Sequence, residues 1–257
     1  MKKMGAVLIA GWLLIVANAQ AYDHVYIAQR NMPAVVQINV LSNDGKTSTG
    51  TGFIVDPKGL IVTNRHVLEQ SLYANITFNN GITSGEAITL AQDPLLDIAL
   101  IKIEAKNLPH VTLSNDDNVL IGQTITVIGN PRRLQNTVTS GIISQLRKQK
   151  DGTVWHQISA PISPSSSGSP VFNDKGEVVS VAFASMTGEG NQNLNFAIPI
   201  RYVRELAEKN TIAFPEPATT AQENRLVKHV KKSWEITKRL FRRWFTGQEV
   251  EKQVGNN

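Results

Sequence analysis

The chain has 257 residues, 41% of them hydrophobic and 18% charged, so its composition supports a real buried core. It contains no cysteine, which excludes disulfides, thiol catalysis and Cys-based zinc sites. The formal charge of +5 is uneven: residues 1–21 carry +2, Arg225–Arg243 carry +7, and Tyr22–Asn224 carry −3, so the basic character sits at the ends and a nucleic-acid partner is not expected.

The chain opens on Lys2 and Lys3, a short apolar run from Gly5 to Val16, and the overlapping patterns Ala17-Asn18-Ala19 and Ala19-Gln20-Ala21. This reads as a secretory signal peptide over residues 1–21, the run being short for a membrane span; an uncleaved anchor is the alternative. Export without disulfides fits a bacterial envelope protein, periplasmic and in one reading membrane-associated.

From about Val35 to Val181 the sequence breaks into short β-branched runs: AVVQINVL, GFIVD, LIVTN, DIALIKIE, TITVIG, VTSGIISQL and EVVSVAFA. Gly, Asn, Asp and Pro punctuate them, with turns expected at Asp56–Gly59 and Asn173–Gly176. Many short strands at close spacing point to an all-β sandwich or barrel pair. A helix is expected from near Pro199, with Tyr202, Val203 and Leu206 on its apolar face. Residues 211–221 read as a linker. Residues 222–257 read as a helical tail in which Val227, Val230, Trp234, Phe241, Trp244 and Phe245 oppose a Lys/Arg-rich face. Such a helix packs on a protein surface, or docks over residues 222–246 on an anionic membrane.

The stretch Ser163–Ser169 holds five serines in seven residues. Alone it is a surface loop. A nucleophilic serine needs a base, and the base needs a carboxylate. His66 stands where a strand gives way to a loop, in TNRHV. Asp97 opens the apolar run DIALIKIE, where a carboxylate calls for a partner; Asp93 lies in a turn, where Asp is ordinary. The order His66, Asp97, Ser167 is the chymotrypsin order.

The segments TGFIVDPKGLIVTNRHV, DPLLDIALIKI, GNP, TVTSGIISQL, SSSGSPVFNDKGEVV and NLNFAIPIRYVREL together resemble the protease domain of the HtrA/DegP group over about Met32 to Leu206. The resemblance implies an all-β fold of two six-stranded antiparallel β-barrels, the first over residues 22–109 and the second over 110–210, followed by the helical tail. It implies an exported serine endopeptidase acting on unfolded or exposed polypeptide segments through His66, Asp97 and Ser167, with no metal or other cofactor. The group usually carries a PDZ domain after the protease domain; the residues after Leu206 are too few for one, and none is expected here. Relatives are commonly trimeric, but the N-terminal features that support a trimer are not recognisable in this chain.

The resemblance also assigns the oxyanion hole to the backbone N–H groups of Ser165 and Ser167. Ser165 occupies a position the group gives to glycine because the backbone there takes positive φ. A non-glycine residue in that region costs on the order of 1–3 kcal/mol. This departure implies a slow or partner-activated enzyme, or a catalytically silent protease fold acting as a binding module or membrane-surface adaptor. Ser169 matches a serine found at the same place in glutamyl endopeptidase-like relatives. The specificity pocket falls on Pro161, Ala182 and Phe183. Without a charged residue in its walls, it suits a small or medium apolar residue before the cleaved bond rather than Lys or Arg.

Overall fold

The structure, a computed structural model, describes residues 23–130, 137–163, 165–188 and 191–215, with the side chains of 184–193 left undescribed. The expected signal peptide and the 222–257 tail lie outside the described residues. The chain divides into two units, 1–214 and 215–257, and every described helix and strand belongs to the first.

Two elements precede the strands. Helix α1 (His24–Asn31) is capped by Asp23, whose side chain accepts from the Val25 N–H, and a single 3-10 turn (Met32–Ala34) follows with Pro33 at its start. The first sheet comprises β1 (Val35–Ser42), β2 (Thr47–Asp56), β3 (Leu60–Thr63), β4 (Ser71–Thr77), β5 (Thr83–Glu86), β6 (Ile88–Asp93) and β7 (Ile98–Lys102). Its spatial order is β5-β4-β1-β2-β3-β7-β6. The β2–β3 turn forms as its residues demand: Gly59 takes φ +94°, and its N–H closes on the Asp56 carbonyl at 2.9 Å.

The second sheet comprises β8 (Thr112–Leu113), β9 (Thr124–Gly129), β10 (Thr137–Lys148), β11 (Val154–Ile158), β12 (Pro170–Phe172), β13 (Glu177–Gly188) and β14 (Asn191–Pro199). Its order is β12-β9-β10-β11-β14-β13-β8, and an added β12–β13 pairing closes six of these strands into a barrel. The short β8 joins in parallel on β13. The fold is the chymotrypsin-like double barrel, with the second barrel closed and the first sheet curved but open along its ladder. Helix α2 (Ile200–Lys209) follows β14 directly and buries Ile200, Tyr202, Val203, Leu206 and Ala207, the apolar face expected from its spacing.

Alternation along the strands sorts the side chains. On β9, Ile125 and Val127 enter the second barrel's interior with Ile143, Ile158, Val171 and Ala182, whereas Ile128 faces the larger core. That larger core runs from Ile27 of α1 through Ile38, Phe53, Ile61 and Ile101 to Phe172, Ile198 and Val203. Fully burying a side chain such as Phe53 or Phe172 contributes roughly 1.5–3 kcal/mol. Ile212 and Phe214, at the start of the expected linker, pack against this core.

Candidate active site

His66 belongs to a short 3-10 turn (Arg65–Leu68) that follows β3. Gly50 on neighbouring β2 makes room for it, since a Cβ there would come within 2.5 Å of Val67; Gly52 instead makes room for the core side chains Ile38 and Ile61, which a Cβ would meet at 2.9 Å.

Asp97 sits immediately before β7 with φ +53°. Non-glycine residues seldom adopt this conformation, which persists only where the surroundings over-determine it. Here they do. Asp97 Oδ2 lies 2.6 Å from His66 Nδ1, and Oδ1 accepts from the His66 N–H at 2.8 Å. The Asp97 carbonyl takes the Arg65 N–H at 3.2 Å and Asn64 Nδ2 at 2.9 Å. One residue thus grips three consecutive residues, fixing the ring's position and placing the proton on Nδ1. The other ring nitrogen, Nε2, is left for chemistry. The His66 side chain is 41% exposed and that of Asp97 24%, so the pair opens onto solvent on its histidine side.

Ser167 lies in the turn between the β11 side of the barrel and β12. Its hydroxyl donates to the Phe183 carbonyl at 3.4 Å. The backbone of this turn is tightly accounted for. The N–H of Ser166 bonds to Ser163 O at 3.0 Å, that of Gly168 to Ala182 O at 2.8 Å, and that of Ser169 to Ser166 O at 3.0 Å. Among the described residues, the N–H groups of Ser165 and Ser167 have no such partner. They alternate with the bonded ones and are the pair assigned to the oxyanion hole from the sequence.

Ser165 keeps the left-handed backbone of a glycine, with φ +73°. Its carbonyl does not swing free: Thr51 Oγ1 donates to it at 2.8 Å, and Thr49 Oγ1 donates to the Ser165 hydroxyl at 3.2 Å. Gly168, at φ +87°, passes so near β2 that a Cβ there would lie 2.0 Å from the Thr51 carbonyl.

The three pocket residues are placed differently from one another. Pro161 is exposed, and its carbonyl accepts from Thr139 Oγ1 at 3.2 Å. Ala182 is fully buried in the second barrel's core and meets the serine turn through its backbone. Phe183 falls at a bulge in β13, which turns its carbonyl toward Ser167, while its ring packs edge-on against Trp155 at 4.9 Å. No charged side chain lies at residues 161–163, 165–166 or 181–183.

Sequence reasoning passed over Thr49, Thr51 and Asn64. For Thr49 and Thr51 the Gly-Thr-Gly pattern of Gly50–Gly52 was the one signal, since glycines within a strand mark close packing by neighbouring segments.

A family model described as "Trypsin-like peptidase domain" matches residues 50–181. The chain belongs to this trypsin-like peptidase family. Within it, the chain is 39% identical over 155 residues to a probable periplasmic serine endoprotease, DegP-like, of Chlamydia pneumoniae, covering 58% of this chain and 32% of that one. Among solved structures, a serine endoprotease from Yersinia pestis is 32% identical with a TM-score of 0.65, covering 74% of this chain and 66% of that one. An HtrA-type protease, AlgW, with a tripeptide is 28% identical with a TM-score of 0.68, covering 73% of this chain and 63% of that one. The chain spans about a third of the length of the curated DegP-like relatives it matches. The HtrA-like resemblance read from the sequence stands.

Proposed function

We propose that this trypsin-like peptidase domain is an exported, periplasmic serine endopeptidase of the HtrA kind that cleaves unfolded or exposed polypeptide segments. The observation that carries the proposal is the two-point grip of Asp97 on His66, together with a serine turn in which the Ser165 and Ser167 N–H groups have no hydrogen-bond partner among the described residues, while those of Ser166 and Gly168 do. Relatives named as periplasmic endoproteases support the compartment, and HtrA-type structures with bound tripeptide and decapeptide support the substrate class.

The chemistry follows from the groups present. Ser167 Oγ attacks the peptide carbonyl as His66 Nε2 takes its proton. The carbonyl oxygen becomes an oxyanion, received by the N–H groups of Ser165 and Ser167. His66 returns the proton to the leaving amine, leaving an acyl-enzyme on Ser167, and a water activated by the same imidazole releases the acid. Asp97 stays ionised throughout, orienting the ring and supporting its positive charge. The uncharged surroundings of Pro161, Ile162 and Phe183 favour a small or medium apolar residue before the scissile bond.

The test is digestion of a denatured, alkylated protein by the mature chain, with fragments sequenced by mass spectrometry. Cleavage after small or medium apolar residues, abolished by Ser167→Ala, is expected. Equal inactivity of wild type and variant would leave the chain a protease-fold binding module, and cleavage after Lys or Arg would overturn the pocket assignment.

A further inference from the structure

Thr51 is fully buried in the middle of β2, and each of its polar groups contacts the site's framework. Its N–H donates to the Ser167 carbonyl at 2.9 Å, and its hydroxyl to the Ser165 carbonyl at 2.8 Å. The same hydroxyl oxygen accepts the Asn130 N–H at 3.1 Å. Its carbonyl accepts Thr63 Oγ1 at 2.7 Å, from the strand that leads to His66. Two residues earlier on β2, Thr49 reaches the Ser165 side chain.

We propose that Thr51 is a positioning residue for acylation, holding the Ser165–Ser167 backbone so that its two free N–H groups face the developing oxyanion, and that Thr49 secures the left-handed Ser165 beside it. The inference rests on the oxyanion-hole reading above. Its physical basis is the peptide between Ser165 and Ser166. Thr51 Oγ1 holds that peptide by its oxygen, and the Ser163 carbonyl holds it by its N–H. A peptide fixed at both ends cannot rotate. Without the Thr51 hydroxyl, the Ser165 carbonyl loses its donor while Ser165 remains in a conformation that serine rarely adopts. The relaxed turn returns Ser165 to negative φ and carries its N–H out of line. The Thr49 contact is specific to a residue with a side chain at this place, so it matters because Ser165 is not glycine.

The test uses the mature full chain, p-nitrophenyl acetate as acylating probe, and thermal melting to confirm folding. Thr51→Val keeps the shape and removes the hydroxyl; Thr51→Ser keeps the hydroxyl and removes a methyl group. The acylation rate constant should fall roughly 10²-fold or more in Thr51→Val, the scale of losing one oxyanion donor, with KM changed by less than about threefold. Thr51→Ser should stay within about threefold of wild type even where its melting temperature is lower. A merely structural role predicts that rates follow melting temperature rather than the hydroxyl. Thr49→Val should slow acylation in the natural chain but have no effect in combination with Ser165→Gly. Should Thr51→Val not fold, this pair decides: a Thr49→Val effect that is the same with and without Ser165→Gly overturns the proposal. An acylated wild type with Thr51→Val unchanged, or with Thr51→Ser equally impaired, overturns this proposal alone. A wild type no faster than Ser167→Ala overturns the site reading and this proposal with it.

Discussion

His156 gives the chain a pH-dependent stability that can be worked out from its surroundings. It lies on β11 opposite Ala197 of β14, only 3% exposed, with Nδ1 2.6 Å from Ser180 Oγ. Burial, and secondarily the positive charge of Arg201 on α2, push its pKa down from 6.5 to about 4. The folded state therefore prefers the neutral ring. This preference contributes fully above the unfolded value of 6.5 and is lost as pH falls through 6.5 toward 4. At 1.36 kcal/mol per pH unit the complete loss is about 3 kcal/mol, of which about 2 kcal/mol disappears between pH 7 and pH 5. For a domain stable by roughly 5–15 kcal/mol, that is a large share. Urea denaturation at pH 7, 6 and 5 should show wild type losing about 2 kcal/mol more than His156→Asn, which retains a polar atom for Ser180 without the titration. Proton NMR of the ring should show no titration of His156 between pH 7 and 5. Equal pH dependence in the two proteins, or a His156 midpoint near 6.5, would refute the reasoning.

Among the described residues, buried Ser169 Oγ has no hydrogen-bond partner, so Ser169→Ala should melt at or slightly above the wild-type temperature; a drop of several degrees would contradict this. Gly168→Ala should destabilise by about 3 kcal/mol or more, or prevent folding, because its Cβ would lie 2.0 Å from the Thr51 carbonyl at φ +87°. Thermal melting checks it. Asp97→Asn preserves the shape but offers His66 Nδ1 the wrong partner in part of the population, so acylation of Ser167 should slow by about 10⁴-fold. A loss under tenfold would mean that Asp97 does not orient the base.

The strands most visible in the sequence are those buried on at least one face. Val35–Leu41, Phe53–Val55, Leu60–Thr63 and Ile98–Ile101 are dense in β-branched residues because the core requires it. Strands β4 to β6 were not legible: β5 is TSGE, and on β6 the apolar Ile88 and Leu90 face outward while Ala91 is buried. Helix α1 escaped notice because eight residues are too few to display a helical period, and its Asp23 cap is an ordinary aspartate until the turn forms. The site divides in the same way. His66 and Asp97 stand out by residue type and setting, and Ser165 by occupying a glycine's place. What holds them was hidden. The left-handed backbone of Asp97 and the hydroxyls of Thr49 and Thr51 act through contacts 31 to 116 residues apart in the chain, which only the packed barrels bring together.

The central claim is that Ser167 is a nucleophile activated by His66. Its most direct test is exposure of the folded mature protein to a fluorophosphonate probe, followed by intact-mass measurement. The account predicts one adduct on Ser167 in wild type, none in Ser167→Ala, and labelling slowed by about 10³-fold or more in His66→Ala. An unlabelled wild type, or His66→Ala labelled at the wild-type rate, would contradict it.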